Sequence, residues 1–160
     1  ELSPLALAKN LAKKCNTKFC LPIVVEKNAE LQFTKWNLQE NELQPSKFYK
    51  HILEPKAPKM QDEHIAPDIL IIPLSAFDKN CYRLGMGGGF YDRTIKTLHK
   101  NNPKITTIGI AYEMQKLEQI PMEKNDEILD FIVTENQSDF YFSEIPVLGS
   151  EEFLFEKNNL

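Results

Sequence analysis

Positive charge is not in excess in this chain. Its 160 residues hold 19 Lys and Arg against 23 Asp and Glu, a formal net charge of −4 with the two signs interspersed. That leaves no basic face to follow a phosphate backbone and no polybasic anchor, which argues against nucleic acid or a membrane surface as partner. A long hydrophobic run is also missing. The longest, near residues 69 to 74, falls far short of the about 20 apolar residues that cross a bilayer. No basic stretch leads into an apolar core and a small-residue cleavage site, so no secretion signal is visible. Cys15, Cys20 and Cys81 fit neither a C-x-x-C nor a zinc spacing and read as reduced structural thiols in a cytoplasmic protein. Asn136-Gln137-Ser138 matches a glycosylation acceptor in form only, because that reading needs a secreted protein.

Glycine is scarce too, and unevenly spread. Four of the six lie between Gly85 and Gly89, in RLGMGGGFYDR. Glycine loses the most conformational freedom on folding, so its clustering in a chain otherwise poor in it implies a local need for bare backbone.

With 42% hydrophobic residues the chain can build one core and is of single-domain size. It opens on Glu1 rather than Met, as a processed product or fragment would. Ser3-Pro4 before Leu5, Ala8, Leu11 and Ala12 predicts a capped helix over about residues 4 to 14. Residues 19 to 25 and 31 to 36 read as two strands joined by a polar turn, and residues 37 to 66, broken by Pro45, Pro55 and Pro58, as loop with one short helix. The unalternating run over residues 69 to 74 suits a strand covered on both faces. After the glycines, Phe90, Tyr91, Ile95 and Leu98 mark one face of a helix, followed by buried strands over residues 105 to 112 and 128 to 133. Strand, glycine loop, helix, strand is a βαβ order and argues for an α/β layered sheet. From Ser138 onward no period is evident, so residues 1–137 are expected to form the domain and 138–160 an appendage of unknown order.

A glycine loop between strand and helix lies at the edge where open α/β sheets bind ligands, and its bare backbone there suits a phosphate. The alternative is a tight connection holding no ligand. No Gly-Lys-Ser/Thr follows, which excludes a Walker A loop, and Phe90 stands where the third glycine of a dinucleotide fingerprint belongs. Asp92, in the first helical turn, would repel a phosphate unless a cation such as Mg²⁺ lay between them; its other reading is a helix-start Asp favoured by the dipole. A second carboxylate could come from Glu123, Asp126 or Asp130, and spacing leaves that choice open.

RLGMGGGFYDR resembles the glycine-rich segment of the 5-formyltetrahydrofolate cyclo-ligases, also called methenyltetrahydrofolate synthetases. PDILIIPLSAFD before it and IGIAYEMQ and IPMEKNDEILDFIVTE after it come in the family's order, and FCLPIV and ILEP fit further back, so the resemblance spans about residues 1 to 135. It implies a single-domain three-layer α/β/α fold with a mostly parallel sheet. The activity implied is ATP- and Mg²⁺-dependent conversion of 5-formyltetrahydrofolate to 5,10-methenyltetrahydrofolate by a cytoplasmic monomer. By position, Arg83, Leu84, Gly85, Met86, Gly87, Gly88, Gly89, Phe90 and Tyr91 would bind ATP, with Arg83 adding charge. Glu1, Met86, Gly87, Gly88, Gly89 and Phe90 would bind the folate, and Asp92 and Asp126 would hold Mg²⁺. Phe77 and Tyr112 could pack on a ring of either substrate or serve the core. Met86 and Phe90 replace tyrosines of many relatives and carry no hydroxyl. The family has a basic ATP-contacting helix and a first strand ahead of the position of Glu1, so an N-terminally short chain is expected. The alternatives are a non-catalytic remnant that binds folate or nucleotide, and a structural protein or phosphate-binding isomerase.

Overall fold

A computed structural model describes residues 5–56, 64–136 and 140–143. They pack as two compact units that meet in sequence between Pro67 and Asp68.

In the first unit, α1 covers Leu5–Lys14, with Lys13 and Lys14 at the end where the helix dipole favours cations. The Ser3-Pro4 cap lies outside the described residues. β1 (Phe19–Ile23) pairs antiparallel with β2 (Gln32–Trp36), setting Phe19 opposite Trp36. Ile23, Phe33 and Trp36 are buried. Asn28, at φ 62, makes the left-handed turn that its short polar side chain tolerates. The stretch expected as loop holds a 3₁₀ turn (Glu40–Glu42) and an antiparallel pair, β3 (Leu43–Pro45) and β4 (Leu53–Pro55). Three-residue strands ending in proline show no period. Glu54 of β4 is buried, and its Oε2 accepts the Val24 N–H at 3.2 Å.

The second unit carries β5 (Ile69–Pro73), β6 (Ala76–Phe77), β7 (Arg83–Leu84), α2 (Phe90–Asn101), β8 (Thr106–Ile110), β9 (Phe131–Val133) and β10 (Phe140–Phe142). Its main sheet runs β10-β9-β8-β5, with β5, β8 and β9 parallel and β10 antiparallel to β9. This sheet is thus mixed, with two of its three pairings parallel, and β1–β2, β3–β4 and β6–β7 are separate antiparallel pairs. The connection from β9 to β10 is too short for a parallel crossover, which takes a dozen residues or more, so β10 folds back. It lies within the stretch expected as an appendage. β5 also differs from expectation, since Leu70 and Ile72 are buried but Ile69 is exposed.

The core gathers Ile72, Phe77, Ile95, Leu129 and Ile132. On β8, a Cβ added at Gly109 would lie 2.8 Å from both Leu129 Cδ1 and Leu74 Cδ2. Gly109→Ala should overpack this point and cost about 1–3 kcal/mol. Urea unfolding should show a lower midpoint at unchanged slope; an unchanged midpoint would mean that the two leucines yield freely.

Candidate functional site

The carboxyl ends of β5, β8 and β9 lead into Leu74-Ser75, residues 111 to 116 and residues 134 to 136. In open parallel sheets this is the edge where ligands bind.

β5 does not run straight into the glycine loop. The β6–β7 ribbon intervenes, and Asp78 shapes its turn: Oδ1 accepts the Asn80 and Tyr82 N–H groups at 2.9 and 3.3 Å, and Oδ2 accepts the Ile120 N–H at 3.0 Å. Both side-chain oxygens of this fully buried carboxylate are thus used, and Cys81 takes φ 66 in the turn. Burial first, then the nearby Asp78 and Asp130 carboxylates, push the Cys81 thiol up to about 12, which leaves it inert.

The ribbon delivers the loop back to the end of β5, where the Ser75 N–H donates to Leu84 O at 2.8 Å. Gly85, Met86, Gly87 and Gly88 are exposed. A Cβ on Gly85 or Gly87 would meet nothing within 4 Å, so the backbone there faces open space. Gly87 and Gly89 have φ of 82 and 60, left-handed values that favour glycine. Gly89 is the N-cap of α2, and no side-chain hydrogen bond caps the helix there. Arg93 braces the loop from the helix side. Its Nη2 donates to Gly88 O at 2.8 Å, and its guanidinium lies 5.2 Å from the centre of the Phe90 ring.

Arg83 faces inward. Its side chain is 5% exposed; Nη2 pairs with Asp92 Oδ1 at 2.8 Å and Nη1 donates to Glu127 O at 2.6 Å. Asp92 Oδ1 also accepts the Glu127 N–H at 3.2 Å, while Oδ2 has no bond among the described residues. Asp126 adjoins the peptide that Asp92 holds, and its Oδ2 accepts the Glu123 N–H at 2.8 Å. Among the described residues no three His, Cys, Asp or Glu gather as a metal cage. Mg²⁺ is held by one or two carboxylates with substrate phosphates completing its shell, and Asp92, with Oδ2 unbonded among the described residues, is a donor of that kind.

Asp130 serves structure: its Oδ2 accepts from both the N–H and the hydroxyl of Thr107 at 2.7 Å. Phe77 is fully buried with its ring edge-on to Tyr141, centroids 5.2 Å apart, whereas Tyr112 is exposed. Glu1 lies outside the described residues. Beyond β8, Glu113 accepts from the Tyr141 hydroxyl at 2.7 Å and the Thr134 hydroxyl at 3.0 Å. These bonds, with Lys116 nearby, hold its carboxyl below the usual range despite some desolvation.

The sequence profile of the 5-formyltetrahydrofolate cyclo-ligase family matches residues 4–135, a stretch that includes the glycine loop and the acidic segment. The chain belongs to the 5-formyltetrahydrofolate cyclo-ligase family. Cyclo-ligases from Haemophilus influenzae and Escherichia coli K12 are 45% and 42% identical to it, over 43% and 48% of this chain and 38% and 43% of theirs. The matched stretch thus spans less than half the length of either relative. The solved 5,10-methenyltetrahydrofolate synthetase of Aquifex aeolicus superposes with a TM-score of 0.66 at 28% identity, covering 91% of this chain and 68% of that one.

Within this cyclo-ligase fold, two residues close to the loop carried no expectation from sequence. Arg93 lies four residues after Gly89, one helical turn on, a spacing that could have marked it. Gln115 ends IGIAYEMQ and gave no signal of its own.

Proposed function

We propose that the chain converts 5-formyltetrahydrofolate to 5,10-methenyltetrahydrofolate with ATP and Mg²⁺, releasing ADP and phosphate. The observation that carries this reading is the open glycine backbone beside a carboxylate, Asp92, whose second oxygen has no bond among the described residues. Family membership supports it. A formyl oxygen is a poor leaving group on an amide carbon. It attacks the γ-phosphorus of ATP, ADP departs, N10 of the folate attacks the formyl carbon, and the carbon–oxygen bond breaks to release phosphate as N10 loses its proton. Such a sequence needs positioning and charge neutralisation rather than a side-chain nucleophile.

Residues 84 to 91 would supply backbone donors and apolar walls to the ATP phosphates, and residues 86 to 90 would also line the seam with the folate. Glu1 would bind the folate. Asp92 and Asp126 would hold Mg²⁺, which neutralises phosphate charge when bound. Arg83 would act chiefly by holding Asp92. A three-layer α/β/α domain over residues 1–137 belongs with this reading, supported by the parallel β5, β8 and β9 and by α2 between β5 and β8 in the chain. So does a cytoplasmic monomer; among the described residues no helix is long and apolar enough to cross a membrane.

A second reading, binding without turnover, draws on Arg83, because the cation expected at the phosphates is turned to Asp92. Mixing the purified chain with 5-formyltetrahydrofolate and Mg-ATP should produce the absorbance of the methenyl product. No ATP-dependent signal would exclude catalysis by this chain, and binding of either ligand without turnover would favour the second reading.

A further inference from the structure

Arg93 holds the glycine loop from the helix side; the opposite side depends on the loop after β8. Gln115 Nε2 donates to Leu74 O at 2.9 Å and to Ser75 O at 3.0 Å, while its Oε1 accepts the Tyr112 N–H at 2.7 Å. These partners fix the amide orientation, since two carbonyl oxygens can accept only from the NH₂ end. One side chain therefore ties the loop after β8 to the two residues that follow β5, 40 and 41 positions earlier. Ser75 in turn meets the glycine loop twice, through its N–H to Leu84 O at 2.8 Å and its hydroxyl beside Met86 Sδ at 3.7 Å.

We propose that Gln115 is a positioning residue for the reaction, acting through Ser75 to fix the backbone of residues 84 to 86 where an ATP phosphate must meet it. Backbone donors act on phosphate only if their geometry is set beforehand, and Ser75 can set it only if its own peptide is held. Its carbonyl side is held by Gln115. Glutamate in this place would keep the acceptor for Tyr112 but lose both donors and face two carbonyl oxygens with a carboxylate. Methionine would keep length and shape and lose all three bonds.

The inference rests on the ATP-dependent reading above, so its test separates the two. In Gln115→Glu and Gln115→Met, Mg-ADP titrated calorimetrically should bind about tenfold more weakly than in the unaltered chain. Amide hydrogen exchange over residues 83 to 90 should quicken without ligand. Melting that falls in both variants while Mg-ADP affinity stays within about twofold would make Gln115 a structural brace only and overturn the proposal. If the unaltered chain bound no Mg-ADP, the ATP-dependent reading would fail instead. Exchange over residues 83 to 90 would then decide whether Gln115 holds the loop, unchanged exchange overturning it.

Discussion

Asp92→Asn should lower ATP-dependent methenyl formation by about a thousandfold, the scale on which charge stabilisation of a transferring group acts, and still leave a folded protein. The two jobs of Asp92 fall on different oxygens. Oδ1 accepts from Arg83 and from the Glu127 N–H, and on the proposed reading Oδ2, unbonded among the described residues, would take Mg²⁺. Asparagine can retain an oxygen for both bonds at Oδ1 while removing the charge and the second oxygen, so its stability cost should be about 1–2 kcal/mol. Asp92→Ala strips the partner from a guanidinium that is 5% exposed, leaving it Glu127 O alone among the described residues, and should cost about 3 kcal/mol or more. Stability should therefore fall from the unaltered chain to Asn to Ala, whereas activity should be lost alike in both variants. Calorimetric melting beside the absorbance assay tests this, with Mg-ADP raising the melting temperature of the unaltered chain and not of Asp92→Asn. Asparagine turning over at the parent rate would remove Asp92 from the metal site. Activity that merely tracked melting would leave it a brace.

The bonding of Asp92 to Arg83 also marks where sequence stopped being legible. Spacing placed the carboxylate in the first turn of α2, and the apolar runs placed β5 and β8 with few changes of boundary. A guanidinium two residues ahead of the glycine run gives no sign of which way it faces. Its direction comes from Asp92, nine residues on, and from Glu127 O, 44 residues on, and only the fold brings these together. β6 and β7 were invisible because two-residue strands have no period, and what forms their turn is the Asp78 carboxylate bonding Asn80, Tyr82 and Ile120. β9 begins at Phe131 rather than 128, with Leu129 filling the core and Asp130 bonded to Thr107. Gln115 was hidden for the same reason as Arg83, the carbonyls it bonds on Leu74 and Ser75 being 41 and 40 residues away.

Gly87→Ala and Gly89→Ala should both lower turnover by about ten- to a hundredfold, for different reasons. Both residues take left-handed φ, where alanine is strained by about 1–2 kcal/mol. At Gly87 the added methyl meets nothing within 4 Å, so it enters the open space proposed for phosphate, and the loss should appear in Mg-ADP affinity with only the strain cost in stability. At Gly89 the methyl would lie 2.8 Å from Arg93 Nη1, so the guanidinium must move and its bond to Gly88 O is put at risk. Gly89→Ala should therefore lose more stability than Gly87→Ala, and the excess should vanish in an Arg93→Ala background, where the group that the methyl meets is gone. Urea unfolding of the single and double variants measures that coupling directly. Strict additivity of Gly89→Ala with Arg93→Ala would show that the guanidinium yields without cost. Undiminished Mg-ADP affinity in Gly87→Ala would move the phosphate away from the open face of the loop, and with it the ATP-dependent reading of this stretch.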